Sequence, residues 1–80
     1  MRTKEAIRLR ILELCTENQM TLNALSGRCG ITQSTLNNIV SGRNNSATID
    51  TIHRVCGGLE ISLPDFFNSH MFMNIEQEIH

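Results

Sequence analysis

Five short polar side chains, Gln33, Ser34, Asn37, Asn38 and Ser41, fall within residues 33–41, a stretch that contains no charged residue. Amides both donate and accept hydrogen bonds, and one Gln or Asn can take two from a single base edge, adenine above all. Hydroxyls add a short donor and two acceptor positions each. Leu36, Ile39 and Val40 recur in the same stretch at helical spacing, so a helix here turns an apolar face inward and the amides outward. Gln33 and Ser34 fall in its first turn, and Asn38 follows Ser34 by four residues, so the three share one side. Such an outer face, free of acids, suits the major groove of duplex DNA. A polar helix face is ordinarily just a solvated one, so its meaning depends on the elements that hold it.

Those elements are legible on either side. Thr32 stands in capping position for the helix that runs to about Ser41. Before it, Thr21 caps a second short helix carrying Leu22 and Leu25 three residues apart. Gly30 separates the two, where a chain leaving a helix often takes a positive φ that glycine adopts cheaply, and Ile31 plugs the angle between them. This is the spacing of a helix-turn-helix. Asn23, near the start of the first of the pair, can approach a phosphate beside the backbone N–H groups of that helix end. Thr35 can do the same or serve in capping and packing.

Helical spacing also predicts a helix from about Lys4 to Glu17, with Ile7, Ile11, Leu14 and Cys15 inward. Leu9 and Leu12 fall opposite that stripe and call for cover by another segment or by a partner. A polar loop, Gly42-Arg43-Asn44-Asn45-Ser46, follows the amide-bearing helix. A further helix starts near Thr48 and places Ile49, Ile52, Cys56 and Leu59 on one stripe, with Gly57-Gly58 weakening its last turn. Ser62 caps a short fifth helix with Pro64 and Asp65 in its first turn, and Phe66 and Phe67 close the core. No strand pattern appears, and the expected fold is all-α with five helices. Residues 4–69 form the expected domain. Residues 70–80 form a C-terminal tail in which Phe72, Ile75 and Ile79 fit one side of a helix.

The ordered series resembles the helix-turn-helix domain of the Cro and phage-repressor type, the Xre family. Met20-Thr21-Leu22 resembles the turn into its second helix, and Gly30-Ile31-Thr32-Gln33-Ser34-Thr35-Leu36 resembles its Gly-Val-Ser-x-x-Thr-Ile signature. Val40-Ser41-Gly42-Arg43-Asn44-Asn45 looks like the end of the recognition helix and the loop behind it. Thr48-Ile49-Asp50-Thr51-Ile52 and Leu59-Glu60-Ile61-Ser62-Leu63 look like the last two helices, so the likeness runs from about Ala6 to Phe67. It implies a five-helix lambda-repressor-like fold and sequence-specific binding of double-stranded DNA by a small bacterial or phage transcriptional regulator. It further implies base contacts from Gln33, Ser34 and Asn38, with Asn37 beside them, and phosphate contacts from Arg43, Asn44 and Asn45. Two-fold operators are usually read by pairs, so a homodimer is expected. Ser26 stands where the family usually has alanine, and its hydroxyl can bond back to the preceding turn.

Composition limits the other classes. The net charge of −1 excludes a generic polycation. Residues 1–58 nevertheless hold all seven basic side chains against four acids, while residues 59–80 hold four acids and no Lys or Arg. No apolar run is long enough for a membrane span or a signal peptide, and three cysteines cannot all pair, so a cytoplasmic protein is expected. No glycine-rich phosphate loop, HExxH or CxxC is present, and no enzyme activity or cofactor is expected. His53 and Cys56 are three apart, but two ligands do not close a metal site, and no metal is expected. The alternative is an antitoxin-like protein-interaction module with weak or partner-dependent DNA binding. It would hold a protein partner through the tail, where Met71, Phe72 and Met73 gather, and through the Leu9–Leu12 face.

Overall fold

Helix α1, Thr3–Glu17, turns Ala6, Ile7, Ile11, Leu14 and Cys15 into the core. The computed structural model describes residues 2–41 and 47–75. Helices α2 (Leu22–Cys29), α3 (Gln33–Ser41), α4 (Ile49–Leu59) and α5 (Leu63–Phe67) follow, then a 3-10 turn at His70–Asn74. Among the described residues there is no strand.

The helix starts follow from hydroxyl caps. Thr21 accepts from the Ala24 amide at 3.1 Å, Thr32 from Thr35, Thr48 from Thr51, and Ser62 from Asp65, the last three at 3.2 Å. Each bond satisfies an N–H that the first turn of a helix leaves without an internal partner. Three helix ends share a second device. The amides of Met20, Ile31 and Ile61 reach back to the carbonyls of Cys15, Ser26 and Cys56 at 3.0, 3.2 and 3.0 Å, over a left-handed residue in each case. Gly30 supplies that residue for α2 at φ 68°, but Gln19 and Glu60 supply it for α1 and α4 at 54° and 59°. A side chain in this region is strained, and Glu60 also sets a negative charge on the negative end of its helix.

The core is formed by all five helices. Ile11, Leu25, Leu36, Ile52, Val55, Cys56 and Phe66 are its largest fully enclosed side chains. On α4 the buried stripe is Ile52, Val55, Cys56 and Leu59 rather than the one beginning at Ile49. Ile49 shares the phase of that stripe, but it sits in the first turn, where the helix runs past the core, and is 61% exposed. Leu9 and Leu12 are half-buried on α1, the helix against which the 3-10 turn packs. That turn does not carry an α-helical face onward, because Ile75 leaves it in an extended conformation (φ −78°, ψ 131°). Ile79 lies outside the described residues. Phe72 joins Phe66 and Phe67 in an aromatic group, with its ring 4.9 Å from that of Phe67 and edge-on to it.

One charged side chain is buried among these. Arg10, 8% exposed, donates from Nε to the Phe66 carbonyl at 2.7 Å and from Nη2 to the Asp65 carbonyl at 2.8 Å. Its Nη1 meets Glu13 Oε1 at 2.5 Å. The guanidinium thus gives the Phe66 carbonyl a donor and the Asp65 carbonyl a second one beside the Asn68 amide, at the C-terminal end of the short α5. Arg10→Ala removes the buried donor to the Phe66 carbonyl and one of the two donors to the Asp65 carbonyl, and is expected to lower unfolding free energy by about 1–3 kcal/mol in urea titration. Glu60→Gly relieves the left-handed strain and removes the misplaced charge. It is expected to raise stability by about 1 kcal/mol in the same titration.

Candidate nucleic-acid interface

The amide-bearing helix is held from one side only. Leu36 is fully buried, Ile39 and Val40 are half-buried against the core, and Gln33, Ser34, Thr35, Asn37 and Ser41 are exposed. Asn38 is half-buried, which leaves Asn37 the more projecting of the two amides. The angle between α2 and α3 is set by Gly30 in the left-handed region and by Ile31, whose side chain enters the core. Ser26 is buried on α2, and its hydroxyl donates to the Asn23 carbonyl at 2.8 Å. The bond satisfies the buried hydroxyl within its own helix.

Thr35 shares a hydroxyl–hydroxyl bond of 2.8 Å with Thr32, whose oxygen also accepts the Thr35 amide. Two hydroxyls carry two protons and their mutual bond uses one, so one donor remains at the N-terminal end of α3. Ser41 donates to the Asn38 carbonyl at 3.2 Å, which leaves its oxygen lone pairs outward. Asn23 is exposed in the first turn of α2. Arg43, Asn44 and Asn45 lie outside the described residues. From Leu22 to Ser41 the only charged residue is Arg28, in the last turn of α2. The surface can therefore form many directional hydrogen bonds but little bulk electrostatic attraction.

No chemistry beyond hydrogen bonding is assembled nearby. His53 is exposed while Cys56, three residues on, is enclosed in the core. Among the described residues no three His, Cys, Asp or Glu side chains come together in a way that could hold a metal ion. Burial pushes the thiols of Cys15, Cys29 and Cys56 up from their ordinary value, so all three are protonated at neutral pH and poorly nucleophilic.

Two buried features were not singled out by sequence spacing. Arg10 lies one residue before Ile11 and four before Leu14, directly on the apolar stripe of α1, and a cation on such a stripe is the available signal. Gly58 is buried within α4, signalled only by the pair of glycines in a helical segment.

The model of the Cro/C1-type HTH DNA-binding domain matches residues 10–69, most of the chain. The chain belongs to this family. As such it is a DNA-binding transcriptional regulator. It is similar to the prophage Lp1 protein 11, with 37% identity over 94% of this chain and 100% of that one and a TM-score of 0.81. It shares its fold with the wild-type restriction-modification controller protein C.Esp1396I, at 23% identity, 88% and 86% coverage and a TM-score of 0.76. No curated protein matches the sequence. No helix among the described residues is long and apolar enough to cross a membrane.

The thiols of this Cro/C1-type domain give a clear pH dependence. A raised folded pKa means that the unfolded chain loses its thiol protons first. Stability is therefore complete below the ordinary thiol pKa and is lost as pH rises through the folded values. With no Tyr and a single Lys in the chain, few other groups titrate there. Melting temperature is expected to hold to about pH 8.5 and to fall progressively above it, and Cys15→Ala with Cys56→Ala should flatten that fall.

Proposed function

We propose that α3 lies in the major groove of duplex DNA with Gln33, Ser34, Asn37 and Asn38 at base edges. Asn23 and the spare hydroxyl proton of the Thr32–Thr35 pair are placed for phosphate, with Arg43, Asn44 and Asn45 behind the helix completing the backbone contacts. The observation that carries this reading is the exposed, uncharged face of α3, presented directly after the left-handed turn at Gly30 and anchored by Leu36. Paired amides favour adenine, so A·T pairs belong in the half-site.

Residues 4–69 act in this reading as the DNA-reading domain, with 70–80 as its tail, in a cytoplasmic bacterial or phage regulator. Two copies would read a two-fold operator. The second reading, an antitoxin-like module with a protein partner on the tail, draws on Met73, 83% exposed beside a groove lined by Phe67, His70 and Phe72. A pull-down that returns one stoichiometric protein, together with no DNA affinity, would decide for it.

Titration onto a selected duplex at two salt concentrations tests the groove model. Arg43→Ala is expected to flatten the salt slope by about one per protomer, with affinity falling alike on all sequences. Asn38→Ala is expected to leave the slope unchanged and to cost about 1–3 kcal/mol on the selected site only. Absence of binding even at low salt, or a selection that returns only G·C-rich sites, would overturn the respective parts of the reading.

A further inference from the structure

The backbones of α2 and α4 run close to each other over more of their length than those of any other pair of described helices. A Cβ on Gly58 would lie 2.5 Å from the Cys29 sulfur and 3.1 Å from both the Arg28 carbonyl carbon and the Cys29 nitrogen. Real Cβ atoms essentially never approach another heavy atom as closely as the first of these distances, so the two helices meet here over a bare backbone. The Cys29 thiol also points to α4, 3.7 Å from the Val55 carbonyl. Gly57, one residue earlier, has nothing within 4 Å of the same position. The notch is therefore specific to Gly58, and it gives a reason for a residue that costs about 1 kcal/mol in a helix interior relative to alanine.

The location of this notch gives it a role. Cys29 is the last residue of α2, Gly30 is the left-handed turn, Ile31 plugs the core, and α3 begins at Gln33. Only three residues, Gly30, Ile31 and Thr32, thus separate the sulfur-bearing Cys29 from the first amide of the recognition face. We infer that Gly58 is a positioning residue for DNA reading. By admitting the Cys29 sulfur it fixes how deeply the last turn of α2 seats on α4, and through Gly30 and Ile31 it fixes the direction of α3. This rests on the proposed placement of α3 in the groove. Gly58 itself is buried within α4. A methyl at this position displaces the end of α2, because the atoms it meets include backbone as well as the sulfur.

The test uses the full chain with Gly58→Ala, Gly57→Ala, Cys29→Ala and the Gly58→Ala/Cys29→Ala double variant. Backbone amide shifts of Ile31–Ser41 are read in the free proteins, and affinities are read for a duplex selected with the wild-type chain and for an unrelated duplex. Gly58→Ala is expected to move the α3 amides and to weaken selected-site binding about tenfold or more, the scale of one lost bidentate base contact, with unrelated-duplex binding nearly unchanged. The double variant removes the 2.5 Å clash and is expected to recover most of that affinity, whereas Gly57→Ala should match wild type in both readouts.

If Gly58→Ala alone does not fold, Cys29→Ala against the double variant carries the comparison. The remaining 3.1 Å contacts then predict a smaller shift of the same amides. Unchanged α3 amides and selected-site affinity in a folded Gly58→Ala chain, even with a lowered melting temperature, would reduce Gly58 to a stability role and overturn the inference. A double variant no better than Gly58→Ala would do the same for the route through the sulfur. If wild type binds no duplex, the reading of α3 fails instead, and the amide shifts still report whether Gly58 aims the helix.

Discussion

The seating of α2 on α4 is the contact on which the placement of the exposed amides depends. Helix α3 has a single fully enclosed side chain, Leu36, and an outer face with nothing against it. A helix of nine residues anchored so lightly is not stable by propensity alone. Its direction comes from what precedes it and from α1, against which it also packs. Helix α2 delivers the chain through Gly30 and Ile31, and α4 supports α2 with a stripe that contains Ile52, Val55, Cys56 and Leu59. Helix α4 is enclosed in turn by α5, whose Phe66 is fully buried. The recognition face is thus the exposed side of a helix that α1 and α2 hold from within.

The α5 end of the fold is closed by a charge rather than by more apolar area. An 80-residue chain buries little surface per residue, and α5, five residues long, has few amides of its own for its terminal carbonyls. Arg10 reaches across from α1 with two of its nitrogens on those carbonyls and a third on Glu13. A planar guanidinium suits this task because its donors diverge in fixed directions, which a Lys ammonium could not reproduce. Phe66, Phe67 and Phe72 form an aromatic group beside this contact through Phe66, and the 3-10 turn after α5 packs on α1 instead of trailing from the domain.

What could be read from the residues and what could not divides along a physical line. Capping hydroxyls at Thr21, Thr32, Thr48 and Ser62 are local, each acting within three residues of its own position, so the starts of four helices were legible. The turn at Gly30 was legible for the same reason. The mistaken stripe on α4 shows the limit of periodicity. Ile49 has the right phase, but phase does not say where along a helix the core ends. Arg10 and Gly58 were not legible, because their partners lie 55 and 56 residues away in one case and on another helix in the other. The left-handed Gln19 and Glu60 were missed because the usual signal, a glycine, is absent there. For the interface, residue type and spacing found the outward amides. They could not rank them, since the partial burial of Asn38 against the exposure of Asn37 depends on the packing around α3.

The distribution of charge relates the fold to the proposed mode of binding. From Leu22 to Ser41 the chain carries one charged side chain, Arg28, and it sits at the end of α2 away from the helix start that holds Asn23. Non-specific attraction to DNA grows with the number of phosphates that cations neutralise, and a surface of amides and hydroxyls neutralises none. On the groove model such a surface gains little on an arbitrary duplex and gains fully only where base edges present matching donors and acceptors. Binding then depends on the exact direction of α3, because amide pairs are directional where a cation is not. A neutral reading helix therefore places stricter demands on the elements behind it than a basic one would. The Gly30 turn, the buried Ile31 and the bare contact at Gly58 are where this fold meets those demands.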